Sequence, residues 1–167
     1  MIEPDDMLFP NNVVMLLEMR LPSIDPEIEV FRRPLRDTDP IQAFGVFATL
    51  WTPNEDSYEF GTPAANVYAH HPTLQNYTIS IQGLVKDMDP ESGLAKQSVM
   101  AKRLRAMLYR DAPLRVGLTS LASQLGGLTE RLQRWGVRQQ RFISNEVQGQ
   151  WMYLSTLDLW IETEETV

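Results

Sequence analysis

The stretch Tyr77-Thr78-Ile79-Ser80-Ile81-Gln82-Gly83-Leu84-Val85 decides the fold. Apolar and polar side chains alternate through it, with period two. One face carries Tyr77, Ile79, Ile81, Gly83 and Val85, and the other carries Thr78, Ser80, Gln82 and Lys86. Since successive side chains of a strand point to opposite faces, this pattern predicts a β-strand over 74–86.

A helix is predicted directly downstream, over 91–110. Asp89-Pro90-Glu91 supplies an N-cap, a proline for the first helical position and an early acid. At 100° per residue, Met100, Leu104 and Leu108 share one side, and Lys102 and Arg103 lie on the opposite side. The apolar side is expected to pack on the sheet. The basic side is either a solvated face or a binding face.

The region upstream of this strand predicts a helix and two more strands. Asn11 or Asn12 can cap a helix over 11–20, and 28–32 is typical of a short strand. Residues 41–52 carry Phe44, Phe47 and Trp51 and favour a strand. The following 53–73 predicts a long loop or arm, which a neighbouring subunit is expected to order.

The carboxyl-terminal region predicts a β-hairpin. Residues 114–125 fit a strand or a short helix, and Gly126-Gly127 ends them. Strands are predicted over 130–148 and 151–162, joined by a turn at Gln148-Gly149. The chain therefore predicts one α+β domain, 1–167. It has a mixed, mainly antiparallel sheet, one long amphipathic helix, an N-terminal helix and an insertion or arm over 34–73.

Composition excludes several protein classes. The 167 residues, 19.2 kDa, contain no cysteine. This excludes a disulfide scaffold, a thiolate metal site and a cysteine nucleophile. The longest apolar run, 43–51, is about half of what a membrane span requires. No secretory signal is recognisable at the amino terminus, so a soluble, intracellular protein is expected.

Charge is segregated along the chain. Residues 1–91 hold fifteen acids and five bases, and 92–144 hold ten bases and two acids. The last stretch, 145–167, holds five acids and no base. Such a pattern is found in nucleic-acid-binding proteins, although acidic flanks repel phosphate. Alternatively, the blocks neutralise one another within the fold or between identical subunits.

No catalytic or metal site is predicted. His70 and His71 are adjacent in a predicted loop, where neighbouring side chains diverge and do not readily chelate one metal. The sequence has no nucleophile elbow, no phosphate-binding loop and no dinucleotide fingerprint. Acidic residues cluster near prolines and turns, where Asp is common. No cofactor, metal or catalytic residue is expected.

The order of elements resembles a known family. The strand 77–85 leads through Lys86-Asp87-Met88-Asp89-Pro90-Glu91-Ser92-Gly93 into the basic helix that ends Leu104-Arg105-Ala106-Met107-Leu108. Two strands follow, the last being Trp151-Met152-Tyr153-Leu154-Ser155-Thr156-Leu157-Asp158-Leu159-Trp160-Ile161-Glu162-Thr163. This arrangement resembles the tail terminator (tail-completion) proteins of long-tailed bacteriophages. The resemblance covers about 74–163 and, loosely, the N-terminal helix, but not 34–73.

The resemblance implies a virion structural protein without enzymatic activity. Its members form hexameric rings that cap the tail tube, end its polymerisation and provide the head-joining surface. The implied partners are further copies of the chain, the tail tube protein and head–tail connector proteins. DNA would pass through the lumen without specific binding, and no membrane is involved. The implied location is the neck region of the virion tail, after assembly in the host cytoplasm.

Subunit-interface candidates are aromatic or basic residues with no obvious role in one subunit: Phe44, Phe47, Trp51, Lys102, Arg103, Arg134 and Trp160. Three alternatives remain open. The chain could be another neck or tail component, such as a head-closure protein or minor tail subunit. It could be a small nucleic-acid-binding accessory protein that uses 92–144, or an enzyme with an unrecognised carboxylate pair.

Overall fold

The computed structural model describes residues 8–49 and 73–166. Within these ranges, three α-helices and six β-strands form an α+β fold, as the sequence predicts. The helices are α1 (Phe9–Arg20), α2 (Pro90–Arg110) and α3 (Ala112–Ser120), and a short 3-10 turn (Leu21–Ser23) follows α1. The strands are β1 (Glu29–Phe31), β2 (Gln42–Thr49), β3 (Thr73–Asp87), β4 (Ala122–Leu125), β5 (Leu128–Val147) and β6 (Gln150–Thr166).

The described strands form one sheet in the order β1-β2-β3-β6-β5-β4. Only β1 and β2 are parallel, and the other neighbours are antiparallel. The predicted hairpin between β5 and β6 is confirmed. Its two-residue turn has positive φ at Gln148 (53°) and Gly149 (77°), as the turns that match strand twist require.

The core lies between the helices and one face of the sheet, here called the helix face. It carries Ile79, Ile81 and Val85 of β3, which contribute to one buried apolar cluster with residues of all three helices. Met100, Leu104 and Leu108 of α2 are 7%, 1% and 0% exposed, which confirms the predicted apolar side of this helix. Burying such side chains stabilises the fold by about 1.5–3 kcal/mol each.

Two glycines allow α2 to approach the sheet closely. A Cβ at Gly83 of β3 would overlap the Met100 sulfur, and one at Gly93 of α2 would overlap the Tyr153 ring. The Tyr153 hydroxyl donates to the Pro90 carbonyl at 2.7 Å. This hydrogen bond holds the Tyr153 ring against the first turn of α2.

Asp89 and Asp111 begin the two helices α2 and α3. The Asp89 carboxylate accepts from the Glu91 N–H at 3.2 Å, as its predicted cap role requires. Asp111 accepts from the Leu114 N–H at 3.0 Å and also binds the Arg20 guanidinium through two 2.8 Å contacts. Asp111, which lies between α2 and α3, therefore links both helices to Arg20 of α1.

Two local predictions are wrong. Helix α1 begins at Phe9, with Leu8 as N-cap and no side-chain cap, rather than at an asparagine cap. Pro10 fits inside the first turn because its missing N–H has no helical partner there. Residues 114–125, expected to be one element, divide into α3 and β4 because Leu114 and Leu118 reach the core one helical turn apart.

The second face of the sheet, here called the polar face, is covered in part by 32–41, which connects β1 to β2. Gln82 accepts from the Leu35 N–H at 2.9 Å, and Lys86 donates to the carbonyls of Asp37 and Asp39. The described part of the expected insertion, 34–49, is therefore integral to the domain, since β2 pairs with both β1 and β3. Residues 50–72 of the expected arm lie outside the described residues.

Candidate functional site

The acidic strand β6 neutralises part of the basic strand β5 on the polar face. The Arg134 Nε and Nη2 atoms donate to the two Glu162 carboxylate oxygens at 2.7 and 3.1 Å. Arg141 Nη2 lies 3.2 Å from Asp158 Oδ2, and the other oxygen of Asp158 accepts from Ser80 at 2.7 Å. Part of the charge segregation along the chain is thus compensated within one subunit.

Two half-buried aromatic side chains lie on this polar face. The Arg134 guanidinium carbon is 5.1 Å from the centre of the Trp160 ring, a cation–π distance. Phe47 lies opposite Ser80 of β3 and Trp160 lies opposite Thr78, so the register places the two aromatics on the same face. Both side chains retain exposed surface for a further contact.

The outer side of α2 is a basic surface. Lys102, Arg103, Arg105 and Arg110 are exposed, and none of them has an acidic partner among the described residues. Lys96, nearer the helix start, instead donates to Asp87 at 2.7 Å, and this contact lowers the pKa of Asp87. The cations from 102 to 110 therefore give α2 an uncompensated positive surface.

Two adjoining cavities border this basic surface. One, of about 260 Å³, lies between α2 and the segment 24–28 that precedes β1 and is mostly apolar, with Ile28, Val99 and Met100 in its walls. The other, of about 520 Å³, lies towards the end of α2 and includes Arg110. Ile24 and Arg103 line both. The two cavities therefore adjoin, and charged residues of both signs line them, with Asp25 and Asp111 beside the cations.

The outer edge of β5 is the longest unpaired edge of the described sheet. Strand β4 covers only the start of β5, through the pairs from Ala122–Arg131 to Leu125–Leu128. From 132 to 147 the outer edge has no partner strand in the part of the chain that the structure describes. Its backbone N–H and C=O groups are therefore open to another strand.

Two large apolar side chains mark this edge. Phe142 and Ile143 are 55% and 58% exposed, and they point to opposite faces of the sheet. Neither residue is among the predicted interface residues, because alternation identifies a strand and does not show that the strand lies at an edge. The available signal was an adjacent apolar pair in an otherwise polar stretch, 138–146.

The predicted interface residues lie in different environments. Phe44 is wrong as an interface candidate: it is fully buried in the subunit's own core, on the helix face of β2. Trp51 lies outside the described residues. Lys102 and Arg103 belong to the α2 surface, while Arg134 and Trp160 contact each other on the polar face. The remaining candidates therefore form two separate groups.

A buried polar cluster at the far end of the helix face is satisfied internally. The Glu130 carboxylate accepts from the fully buried Thr163 hydroxyl. Burial, together with a hydrogen bond to Glu130, raises the pKa of Tyr77. The phenol therefore stays protonated and is a hydrogen-bond donor. The cluster links β3, β5 and β6, and its role is structural.

No group of three His, Asp or Glu residues that could hold a metal occurs in 8–49 and 73–166, and His70 and His71 fall outside these ranges. None of the helices in the described ranges combines the length and the apolar character needed to cross a bilayer.

The sequence matches no protein-family model, and no curated protein is similar to it at a significant level.

Proposed function

We propose that this chain is a virion structural protein of a long-tailed bacteriophage. It forms a hexameric ring on the end of the tail tube, ends tube polymerisation and provides the surface that joins the head. The observation that carries the proposal is the open edge of β5, 132–147, with Phe142 and Ile143 exposed on it. The unpaired backbone groups of such an edge are a template for pairing with another chain.

A ring that caps a tube needs two kinds of contact. Neighbouring subunits meet side by side, and the ring meets the tube and the connector along its axis. The β5 edge suits the lateral contact. The basic α2 surface, with Lys102, Arg103, Arg105 and Arg110, suits a contact with an acidic protein surface. The two surfaces lie on different elements, so both can be occupied at once.

A deletion of the gene in the encoding phage tests this function. Electron micrographs of the deletion mutant should show tails of abnormal length and heads without tails, and expression of the protein in trans should restore both. Tails of normal length joined to heads would contradict the proposal. Tails of normal length that fail to join heads would instead favour a head-closure protein.

The basic α2 surface also favours a second candidate, a nucleic-acid-binding accessory protein. Four exposed cations without acidic partners among the described residues resemble a phosphate-binding surface. This candidate predicts measurable affinity for duplex DNA, falling steeply with salt concentration, and a loss of that affinity in Lys102→Glu/Arg103→Glu. The ring proposal predicts no such affinity.

A further inference from the structure

The outer edge of β5 is regular over only part of its length. Strand β4 pairs with 128–131, and register shifts against β6 fall between 132 and 134 and between 137 and 139. Such bulges disrupt a ladder locally and bend the strand. An uninterrupted edge therefore remains over 139–147, next to the turn into β6. The exposed side chains of Phe142 and Ile143 lie in the middle of it.

This part of β5 is complementary to a second copy of itself. In an antiparallel pair related by a two-fold axis, the residue on the axis lies opposite itself, and residues equally far to either side lie opposite each other. With the axis at Phe142, the opposed pairs are Arg141 with Ile143, Gln140 with Ser144, Gln139 with Asn145, and Arg138 with Glu146. The partner's turn at 148–149 then reaches about residue 136, short of the residues that β4 covers.

The faces of the strand agree with this register. Tyr153 and Leu157 of β6 belong to the buried apolar cluster, so Ser144 and Gln140, which lie opposite them, are on the helix face. Phe142 lies between Gln140 and Ser144 and is on the same face. The two Phe142 side chains of the pair therefore meet on one side of the joined sheet. Aromatic cross-strand pairs of this kind stabilise antiparallel sheets.

The same register brings opposite charges together. Arg138 and Glu146 are exposed, and Glu146 has no cationic partner among the described residues. The two-fold axis forms the pair of Arg138 with Glu146 twice, once at each end of the contact. Arg141 reaches towards Asp158 of β6 at 3.2 Å, away from the outer edge. An axis one residue earlier would place Arg141 opposite itself, so charge selects the axis at Phe142.

We propose that two copies of this chain pair through the β5 edge about a two-fold axis at Phe142. The contact joins 138–146 of one copy to the same residues of the other and makes one continuous sheet. A two-fold contact uses the same edge of both copies, so it ends with two subunits and cannot be repeated around a ring. The pair is therefore a form of the protein away from the tail, and it competes with any lateral contact of this edge. The inference goes beyond the proposed function and does not depend on it.

Cysteine crosslinking tests the register, since the chain has no cysteine. With a short thiol-reactive crosslinker, Phe142→Cys should give a dimer band by itself, because residue 142 lies opposite residue 142. Gln139→Cys and Asn145→Cys should give that band only when the two proteins are mixed, because each lies opposite the other. Val116→Cys, at an exposed position of α3, is the control and should stay monomeric on the gel.

Charge exchange tests the two ends of the contact. Arg138→Glu alone and Glu146→Arg alone each place like charges opposite each other at both ends, and each should raise the dimer dissociation constant by about tenfold. The double variant Arg138→Glu/Glu146→Arg restores opposite charges and should recover most of the affinity. Arg115→Glu, exposed on α3, should leave it unchanged. Sedimentation of the full chain over a range of concentrations measures all four proteins.

Three results would overturn the inference. They are a parent chain that sediments only as a monomer, a mixture of Gln139→Cys and Asn145→Cys that crosslinks no better than either protein alone, and a double charge variant that dimerises no better than the single ones. The failure of the proposed function is separate. A confirmed dimer that neither binds tail tubes nor affects tail length would leave the pairing intact and refute the terminator role.

Discussion

At the scale of single residues, the Asp39 carboxylate accepts three hydrogen bonds. Its oxygens accept from the Arg33 guanidinium and from the Arg36 N–H at 2.6 Å. Hydrogen bonding by Arg33 is the main cause that lowers the pKa of Asp39 to about 2. The Asp39 carbonyl also accepts from Lys86. One residue therefore holds the connection 32–41 against the polar face.

Asp39 predicts a loss of stability in acid. The pKa of Asp39 in the folded chain lies below the ordinary 3.8. The ionised carboxylate therefore stabilises the folded state fully above about pH 4, and this stabilisation disappears as the pH falls to about 2. Asp39→Asn should unfold more easily than the parent at pH 7, and the difference should shrink on acidification. Denaturant midpoints followed by circular dichroism measure this. Asp37→Asn, an exposed neighbour, is the control, and a difference independent of pH would contradict the assignment.

Truncation of Leu104 tests how much a cavity in the core lowers the free energy of unfolding. Leu104 is 1% exposed and lies on the apolar side of α2. Leu104→Ala should lower the free energy of unfolding by about 2–5 kcal/mol, because neighbouring groups only partly fill the space. Arg105→Ala, one residue along and exposed, should change it by no more than about 0.5 kcal/mol. Equal effects in urea denaturation would show that α2 does not pack as described.

At the scale of elements, the Gly93→Ala substitution distinguishes the effect of packing on stability from the effect of helix propensity. On propensity alone, Gly93→Ala should stabilise α2 by about 1 kcal/mol. However, a Cβ at Gly93 overlaps the Tyr153 ring, and overpacking costs about 1–3 kcal/mol. The Tyr153 hydroxyl is bound to Pro90, so the ring has little freedom to move. A lower melting temperature is therefore expected, whereas Ser98→Ala on the exposed side should be neutral or stabilising.

The arginines of β5 and α2 should respond differently to charge reversal. Arg134→Glu places two carboxylates opposite each other, since its partner Glu162 is in the same chain, and should reduce stability by about 0.2–1 kcal/mol. Arg103→Glu removes no ion pair among the described residues and should leave unfolding unchanged. If α2 contacts an acidic surface of the tail tube, the Arg103→Glu substitution should weaken binding to tail tubes. Thermal melts and cosedimentation with tubes distinguish the two effects.

Elements with strong local signals were predictable from sequence. Asp89-Pro90 marks the start of α2 because capping depends on only a few neighbouring residues, and the structure confirms it. The alternation of 74–86 and the turn at Gln148-Gly149 predict β3 and the β5–β6 hairpin for the same reason. In each case the information lies within one turn or one strand.

Features that depend on distant residues were not predictable. The alternation places the polar side chains of β3 on one face but does not show what covers that face: Ser80 is buried because β6 brings Asp158 to it and 32–41 crosses the same face. Phe44 and Phe47 share a strand, and only the position of the helices shows that Phe44 faces the core. The open edge of β5 likewise follows from the strand order.

At the scale of the whole molecule, electrostatics should affect assembly rate more than the stability of the assembled ring. Raising salt from about 0.1 M to about 1 M shortens the Debye length from about 10 Å to about 3 Å. Ring formation, followed by light scattering, should slow accordingly because exposed charges steer association. Preformed rings should persist if the β5 edge is the lateral contact, since the exposed Phe142 and Ile143 on it are apolar. Rapid dissolution of rings at high salt would contradict the expectation that charge affects the rate of assembly more than the stability of the ring.

The central claim is that this protein caps tail tubes as a ring. Electron microscopy of growing tail tubes with and without the purified chain tests it most directly. The expected result is a six-fold ring at one end of each tube, and tubes that stop elongating once the ring is bound. The mass of the isolated ring should be six times the 19.2 kDa of the chain. Tubes that elongate equally with and without the protein, and whose ends carry no ring, would contradict it.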